Sequence, residues 1–153
     1  MPGEVINESI LIIASVIMIG ALAGSVYVGI AYAGSALSSS SLQGSQKLLT
    51  DVQIDYATNL TSTQIAVYVQ NTGSAPINFF HSSTVYFGVQ NSQMPIGYGG
   101  PAPFWNSSAT LLNPGSTAQV NITAAQALQK NAYYTVMYIT PNGISATYTF
   151  EVA

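Results

Sequence analysis

Asp51 and Asp55 are the closest carboxylate pair in the part of the chain that follows its apolar start. Two acids a few residues apart could do paired-carboxylate hydrolysis, but on an extended strand this spacing puts them on one face about 13 Å apart, too far for that mechanism. Their simpler role is to keep that stretch of strand soluble. His81 is the one histidine, and cysteine is absent. No second nitrogen or sulfur ligand can therefore join His81 around a metal, and no base partner is in sequence reach for general acid–base work. The residues predict a non-enzymatic chain: no catalytic residues, no cofactor-binding residues, no cofactors and no metal ligands.

The remaining reactive positions are asparagines. Asn59-Leu60-Thr61, Asn106-Ser107-Ser108 and Asn121-Ile122-Thr123 are acceptor sequons for N-glycosylation, as is Asn7-Glu8-Ser9 near the start. Use of Asn59, Asn106 or Asn121 would place that part of the chain outside the cell. Tyr98, Phe104 and Trp105 stand among Gly99, Gly100, Pro101 and Pro103. Aromatics held by such residues give large contact area at low entropic cost, which makes these three the protein-interface candidates. The alternative is a lid folded back over one end of the domain.

Composition narrows the partners. Only 5% of the residues are charged, against roughly 25% in an average protein. Arginine is absent and the two lysines, Lys47 and Lys130, lie far apart, so nothing can neutralise a row of phosphates and nucleic acid is excluded as a partner. Beyond residue 55, His81 and Glu151 are the side chains that titrate near or below neutral pH. A surface whose charge barely changes with acidity suits an acidic exterior, and equally a subunit buried in an assembly.

The element that carries all this is a membrane helix. Ile10 to Ala33 is an uncharged, mostly apolar run of about 24 residues, which as a helix reaches roughly 36 Å and crosses a bilayer. Its flank is acidic, at Glu4 and Glu8, and the run is longer than a secretory signal's core, so it reads as an uncleaved anchor. The two glutamates sit one turn apart where the helix dipole favours negative charge. Gly20 and Gly24, extended by Ala21 and Ser25, form a small-residue groove along which a second helix could pack.

After the span, Gly34 to Ser45 is rich in Ser, Gly and Ala and reads as helix fraying into a linker. The organisation is residues 1–36 as the anchor helix, 37–50 as a Ser/Gly-rich linker and 51–153 as one β-domain. Strands are predicted at Asp51 to Ala57, Gln64 to Gln70, Ile77 to Phe80, Thr84 to Gln90, Thr117 to Ile122, Tyr133 to Thr140 and Ile144 to Val152. In the second, Ile65, Val67 and Val69 face one way and Ala66, Tyr68 and Gln70 the other, as a half-buried strand requires. Seven short strands joined by turns such as Asn71-Thr72-Gly73 predict an all-β immunoglobulin-like β-sandwich behind one N-terminal transmembrane α-helix. The last two strands form a hairpin around Asn142-Gly143. Asn91 to Asn106 is predicted to be a long loop, and Thr123 with Gln126 resembles a capping box opening a short helix from Ala124 to Lys130. Association should run through an exposed edge strand or the Tyr98 to Trp105 loop.

Three stretches resemble the archaellum accessory proteins of the FlaG/FlaF type, FlaG more than FlaF. They are Glu8 to Gly24; Leu48 to Ile54 followed by Val67 to Gly73; and Leu112-Asn113-Pro114-Gly115 with Val136 to Gly143 and Ala146 to Val152. The resemblance implies a single-pass cell-membrane protein whose β-domain lies outside the cytoplasm and braces the motility motor. Its implied partners are a second accessory protein, the cell envelope or S-layer and other motor proteins, in a homo- or hetero-oligomer. A type IV pilin-like or archaellin-like filament subunit is the alternative, since cleavage after Gly3 would make Glu8 the fifth residue. The basic residue such a site carries before its glycine is missing.

Overall fold

The computed structural model describes residues 2–78 and 80–153. Met1, at the head of the expected anchor segment, and Phe79, inside the expected strand Ile77 to Phe80, lie outside the described residues. Contacts divide the chain into two compact units between Leu42 and Gln43.

The first element, α1, spans Pro2–Leu49. Large apolar side chains from Val5 to Leu42 stand exposed along it, and it is long and apolar enough to cross a bilayer. Its serines do not interrupt it. Ser15, Ser25 and Ser35 donate to the carbonyls of Ile12, Leu22 and Tyr32 one turn back, so their hydroxyls are satisfied within the helix. The same device carries the helix through the stretch expected to fray, where Ser39 Oγ donates to Ser35 O at 2.8 Å. Residues 37–49 are helical.

The β-unit is built from β1 (Val52–Asn59), β2 (Gln64–Asn71), β3 (Ile77–Asn78), β4 (Thr84–Val89), β5 (Ser92–Tyr98), β6 (Phe104–Asn106), β7 (Leu111–Leu112), β8 (Thr117–Thr123), β9 (Tyr133–Ile139) and β10 (Ser145–Glu151). Eight of these form one hydrogen-bonded ribbon in the order β1-β2-β8-β6-β5-β4-β9-β10, with β3 and β7 paired separately. The parallel pair β5–β6, Gly97 with Phe104 and Tyr98 with Trp105, turns the ribbon from one layer of an immunoglobulin-like sandwich into the other. The end strands β1 and β10 thereby come to lie beside each other.

Alternation builds the core as the sequence implies. Ile65, Val67 and Val69 of β2 meet Ala118, Val120 and Ile122 of β8, and the opposite layer adds Val85, Phe87, Tyr134, Val136, Tyr138 and Phe150. Each fully buried aliphatic or aromatic side chain contributes about 1.5–3 kcal/mol. In β1 the register shifts between Ile54 and Tyr56. This bulge at Asp55 lets Val52, Ile54 and Ala57 all face inward despite their uneven spacing.

The stretch from Asn91 to Asn106 is not one long loop: β5 and β6 lie within it. β5 opens with a two-residue turn at Gln90-Asn91, where Asn91 takes φ 69° in place of the glycine that usually marks such a turn. Gly88 in β4 approaches Ser92 so closely that any side chain would collide with backbone. Ala124 to Lys130 is not helical either. Its amides are satisfied elsewhere, Ala124 N donating to Thr63 O and Leu128 N to Ser62 O at 2.8 and 2.7 Å, and these tertiary bonds displace the i to i−4 pattern. The last hairpin turns as expected at Pro141-Asn142-Gly143. Only Gly143 takes positive φ there, at 87°, as the bulge residue after a turn closed by Gly143 N on Thr140 O.

Candidate interaction surface

Expected site residues fall into three places. Trp105 is 1% exposed and belongs to the core, which corrects its reading as a contact residue. Phe80 stands edge-on to it at 6.4 Å between ring centroids, and Tyr98 packs against it at 4.8 Å in a T-shape. Phe80 in turn stacks on Tyr138 at 5.1 Å. This aromatic column seals the corner where β5 passes to β6. Tyr98 caps the column and remains 49% exposed, with His81 beside it at 5.9 Å and its hydroxyl donating to Ser107 O. Phe104 is half-buried and, one residue before the inward-facing Trp105 on β6, points to the opposite side of the strand. The corner thus presents Tyr98 and His81 as one aromatic patch.

One sequon adjoins that patch, since the Tyr98 hydroxyl donates to Ser107 O, and two of the sequons lie side by side. Asn106 and Asn121 are direct cross-strand partners on β6 and β8, both exposed, with Gln119 Nε2 donating to Asn121 Oδ1 at 2.8 Å. Asn59 ends β1, and the Thr61 hydroxyl of its sequon accepts the amides of Thr63 and Gln64 in the following turn. Gly20, Ala21, Gly24 and Ser25 all lie on the exposed surface of α1.

Asp51 and Asp55 do not meet. Asp51 Oδ1 accepts the Val52 amide and Oδ2 the Thr72 hydroxyl, while its carbonyl takes the amides of Thr72 and Gly73. Its work is to fasten the β2–β3 turn. Gly73 lies so close to the backbone of Leu49 and Asp51 that a Cβ there would collide. With Asp55 on β1 and Glu151 on β10, all three carboxylates of the β-unit sit on or beside the two end strands. Charges and a bulge on an edge oppose pairing with another strand, so β1 and β10 are poorly suited to such a contact.

Two groups escaped the sequence reading. Asn71 is completely buried, its Nδ2 donating to Ala75 O and Leu112 O, both at 2.9 Å, and its Oδ1 accepting the Gly73 amide. The signal was present: Asn71 continues the inward series Ile65, Val67, Val69. At the end of α1, Thr50 Oγ1 donates to Gln46 O and accepts Asn142 Nδ2 at 2.7 Å, while Thr140 Oγ1 donates to Asn142 Oδ1. Leu49 O takes the amides of Ser74 and Ala75. These bonds satisfy carbonyls that a helix end otherwise leaves open. Ser83 and Tyr138 share a buried hydrogen bond of 2.6 Å; burial pushes the Tyr138 phenol well up, and that bond opposes the shift only in part.

This is a protein of one apolar N-terminal helix and one immunoglobulin-like β-sandwich. The chain belongs to the archaeal-type flagellin family, whose model matches residues 3–150, and is a component of the archaellum. It is similar to the archaellum periplasmic stator protein FlaG from Sulfolobus acidocaldarius, with 40% identity over 67% of this chain and 100% of that one, at a TM-score of 0.65. It is similar also to a chain in the FlaF and FlaG stator complex of the same organism, with 41% identity over 69% of this chain and 93% of that one, at a TM-score of 0.64. The archaeal flagellum of Methanospirillum hungatei strain JF1 shares the fold, with 16% identity over 95% of this chain and 92% of that one, at a TM-score of 0.67. No curated protein sequence matches the chain.

Proposed function

We propose that this chain is a non-enzymatic stator-type accessory protein of the archaellum, bracing the motor through contacts with a partner accessory protein and the cell envelope. The observation that carries the reading is the 40% identity along the whole length of the FlaG chain. Residues 1–36 hold the protein in the cell membrane, 37–50 connect, and 51–153 form the extracytoplasmic domain. Gly20, Ala21, Gly24 and Ser25 give a neighbouring helix a close approach. A partner accessory protein is supported by the complex of FlaF with FlaG, which contains a relative at 41% identity, and the exposed Tyr98 is the contact residue on this chain. Asn59, Asn106 and Asn121 are the glycan acceptors.

A filament-subunit reading draws on the family match from residue 3, which includes the helix. One experiment separates the two. Archaella are sheared from cells and purified, and the chain is quantified by mass spectrometry in filament and membrane fractions, with its N-terminus sequenced. A stator component stays with the membrane and keeps its start. Stoichiometric recovery in filaments, cleaved after Gly3, would refute the stator reading.

A further inference from the structure

Two of the sequons of the β-unit meet at one spot on its surface. Asn106 and Asn121 are paired directly across β6 and β8 and both are exposed, so their β-carbons stand about 4.5–5.5 Å apart on one side of the sheet. A sugar ring on each would have to fit beside the other in that gap. The fold presents the two acceptors differently. β8 is an interior strand: Asn121, Ile122 and Thr123 pair with Ala66, Ile65 and Gln64 of β2 on one side and with Asn106, Trp105 and Phe104 of β6 on the other. Ile122 has no solvent exposure and Thr123 is half-buried. An enzyme that modifies a sequon must take hold of the asparagine amide and the hydroxyl two residues on together, and at Asn121 that means parting β8 from both neighbours. Asn106, in contrast, is the last residue of β6. The chain leaves the sheet after it, and Ser108, which carries the hydroxyl of this sequon, is exposed in irregular chain.

We propose that Asn106 and Asn121 form a single-occupancy pair: the domain takes one N-linked glycan there, on Asn106, while Asn121 stays unmodified and contacts the first sugar. The inference rests on the reading of these sequons as glycan acceptors and says which of the two is used. The transfer is a substitution at the anomeric carbon of a lipid-phosphate-linked oligosaccharide. The bond from Asn106 Nδ2 to that carbon forms, the bond from the carbon to the phosphate oxygen breaks, the lipid phosphate departs with the electron pair, and one Nδ2 proton passes to a base of the transferase. Two contacts prepare the pair for this outcome. Ser107 Oγ donates to Gln119 O at 2.7 Å and accepts the Ala109 amide, which fixes the chain beside Asn106. Gln119 Nε2 donates to Asn121 Oδ1 at 2.8 Å, which leaves the Nδ2 end of Asn121 as the donor for an oxygen of the neighbouring sugar.

Arginine is absent and the two lysines are Lys47 and Lys130, so trypsin releases Leu48 to Lys130 as one fragment that carries Asn59, Asn106 and Asn121. Its mass counts the glycans on each molecule. The full-length chain is isolated from its native envelope and digested, and the modified positions are assigned by electron-transfer fragmentation. Interior strands open only near the full cost of unfolding, so fragments modified at Asn106 should outnumber those modified at Asn121 by at least about tenfold, with none modified at both. Asn106→Gln should remove this glycan without moving it to Asn121, at an unchanged circular dichroism spectrum, and Asn121→Gln should leave Asn106 occupied. Fragments modified at both positions, or at Asn121 in preference, would overturn the single-occupancy pair and leave the acceptor reading standing. A glycan on Asn59 beside a bare pair would do the same, whereas a fragment of unmodified mass overturns both.

Discussion

Replacing Asn71 by alanine should cost the β-unit about 3–5 kcal/mol. The figure follows from what the side chain holds: two carbonyls, of Ala75 and Leu112, and one amide, of Gly73. The two carbonyls lose this donor, while the Gly73 amide keeps its bond to Asp51 O; Asn71 itself has no solvent exposure, and each unsatisfied buried group costs about 1–3 kcal/mol. A water entering the vacated space would return part of that. The backbone bonds of Asn71, its amide on Ser116 O and its carbonyl accepting Gly115 N, survive the substitution, so the loss belongs to the amide group alone. Against a total stability of about 5–15 kcal/mol, such a change is large enough to read by urea denaturation of residues 43–153. Asn71→Asp sharpens the test. A carboxylate there faces two carbonyl oxygens, so this variant should be at least as unstable as Asn71→Ala at neutral pH and recover on acidification, when a protonated acid can again donate. A loss under about 1 kcal/mol for alanine, or an aspartate variant as stable as native at pH 7, would show that the buried amide does not hold this corner.

Removal of residues 1–35 should leave a soluble, mostly β-sheet protein, because every residue of the core cluster lies between Val52 and Val152; a helix-dominated or unfolded circular dichroism spectrum would refute this. Tyr138 should make the domain lose stability in alkali. Burial holds its folded proton above the ordinary value of 10.0, so its contribution is complete below pH 10 and is lost as the unfolded phenol ionises at higher pH, by up to about 1.4 kcal/mol per pH unit. Urea midpoints from pH 9 to 11 should fall more steeply for native protein than for Tyr138→Phe.

How far the sequence spoke depended on whether a residue's partners were near it in the pattern. β2, β8 and β9 were legible because alternation alone decides which side chains go inward, and burial rewards it. β5 was not, since Pro95 and Gly97 break its pattern and one of its inward positions, Met94, is never covered. The capping-box residues Thr123 and Gln126 satisfied a local rule, but Ser62 and Thr63 offered better acceptors from across the fold. Trp105 shows the same limit at the site. Glycines and prolines around an aromatic are common to contact loops and to tight corners, and only the column Phe80, Trp105, Tyr98 tells which one this is.

Scarce charge would seem to invite indiscriminate sticking, and the placement of the few charges argues otherwise. Sheet edges are where uncharged β-domains pair nonspecifically, through unsatisfied amides and carbonyls that accept any extended chain. Two of those edges are β1 and β10, which lie beside each other and carry or adjoin all three of the unit's side-chain carboxylates, with a bulge at Asp55. The corner at Tyr98 holds neither carboxylate nor ammonium, so the contact proposed there depends on side-chain shape. Shape discriminates between partners in a way that backbone pairing does not. A component that must associate within an envelope assembly without aggregating can therefore set the carboxylates of its β-unit on or beside its end strands and keep them off its contact surface.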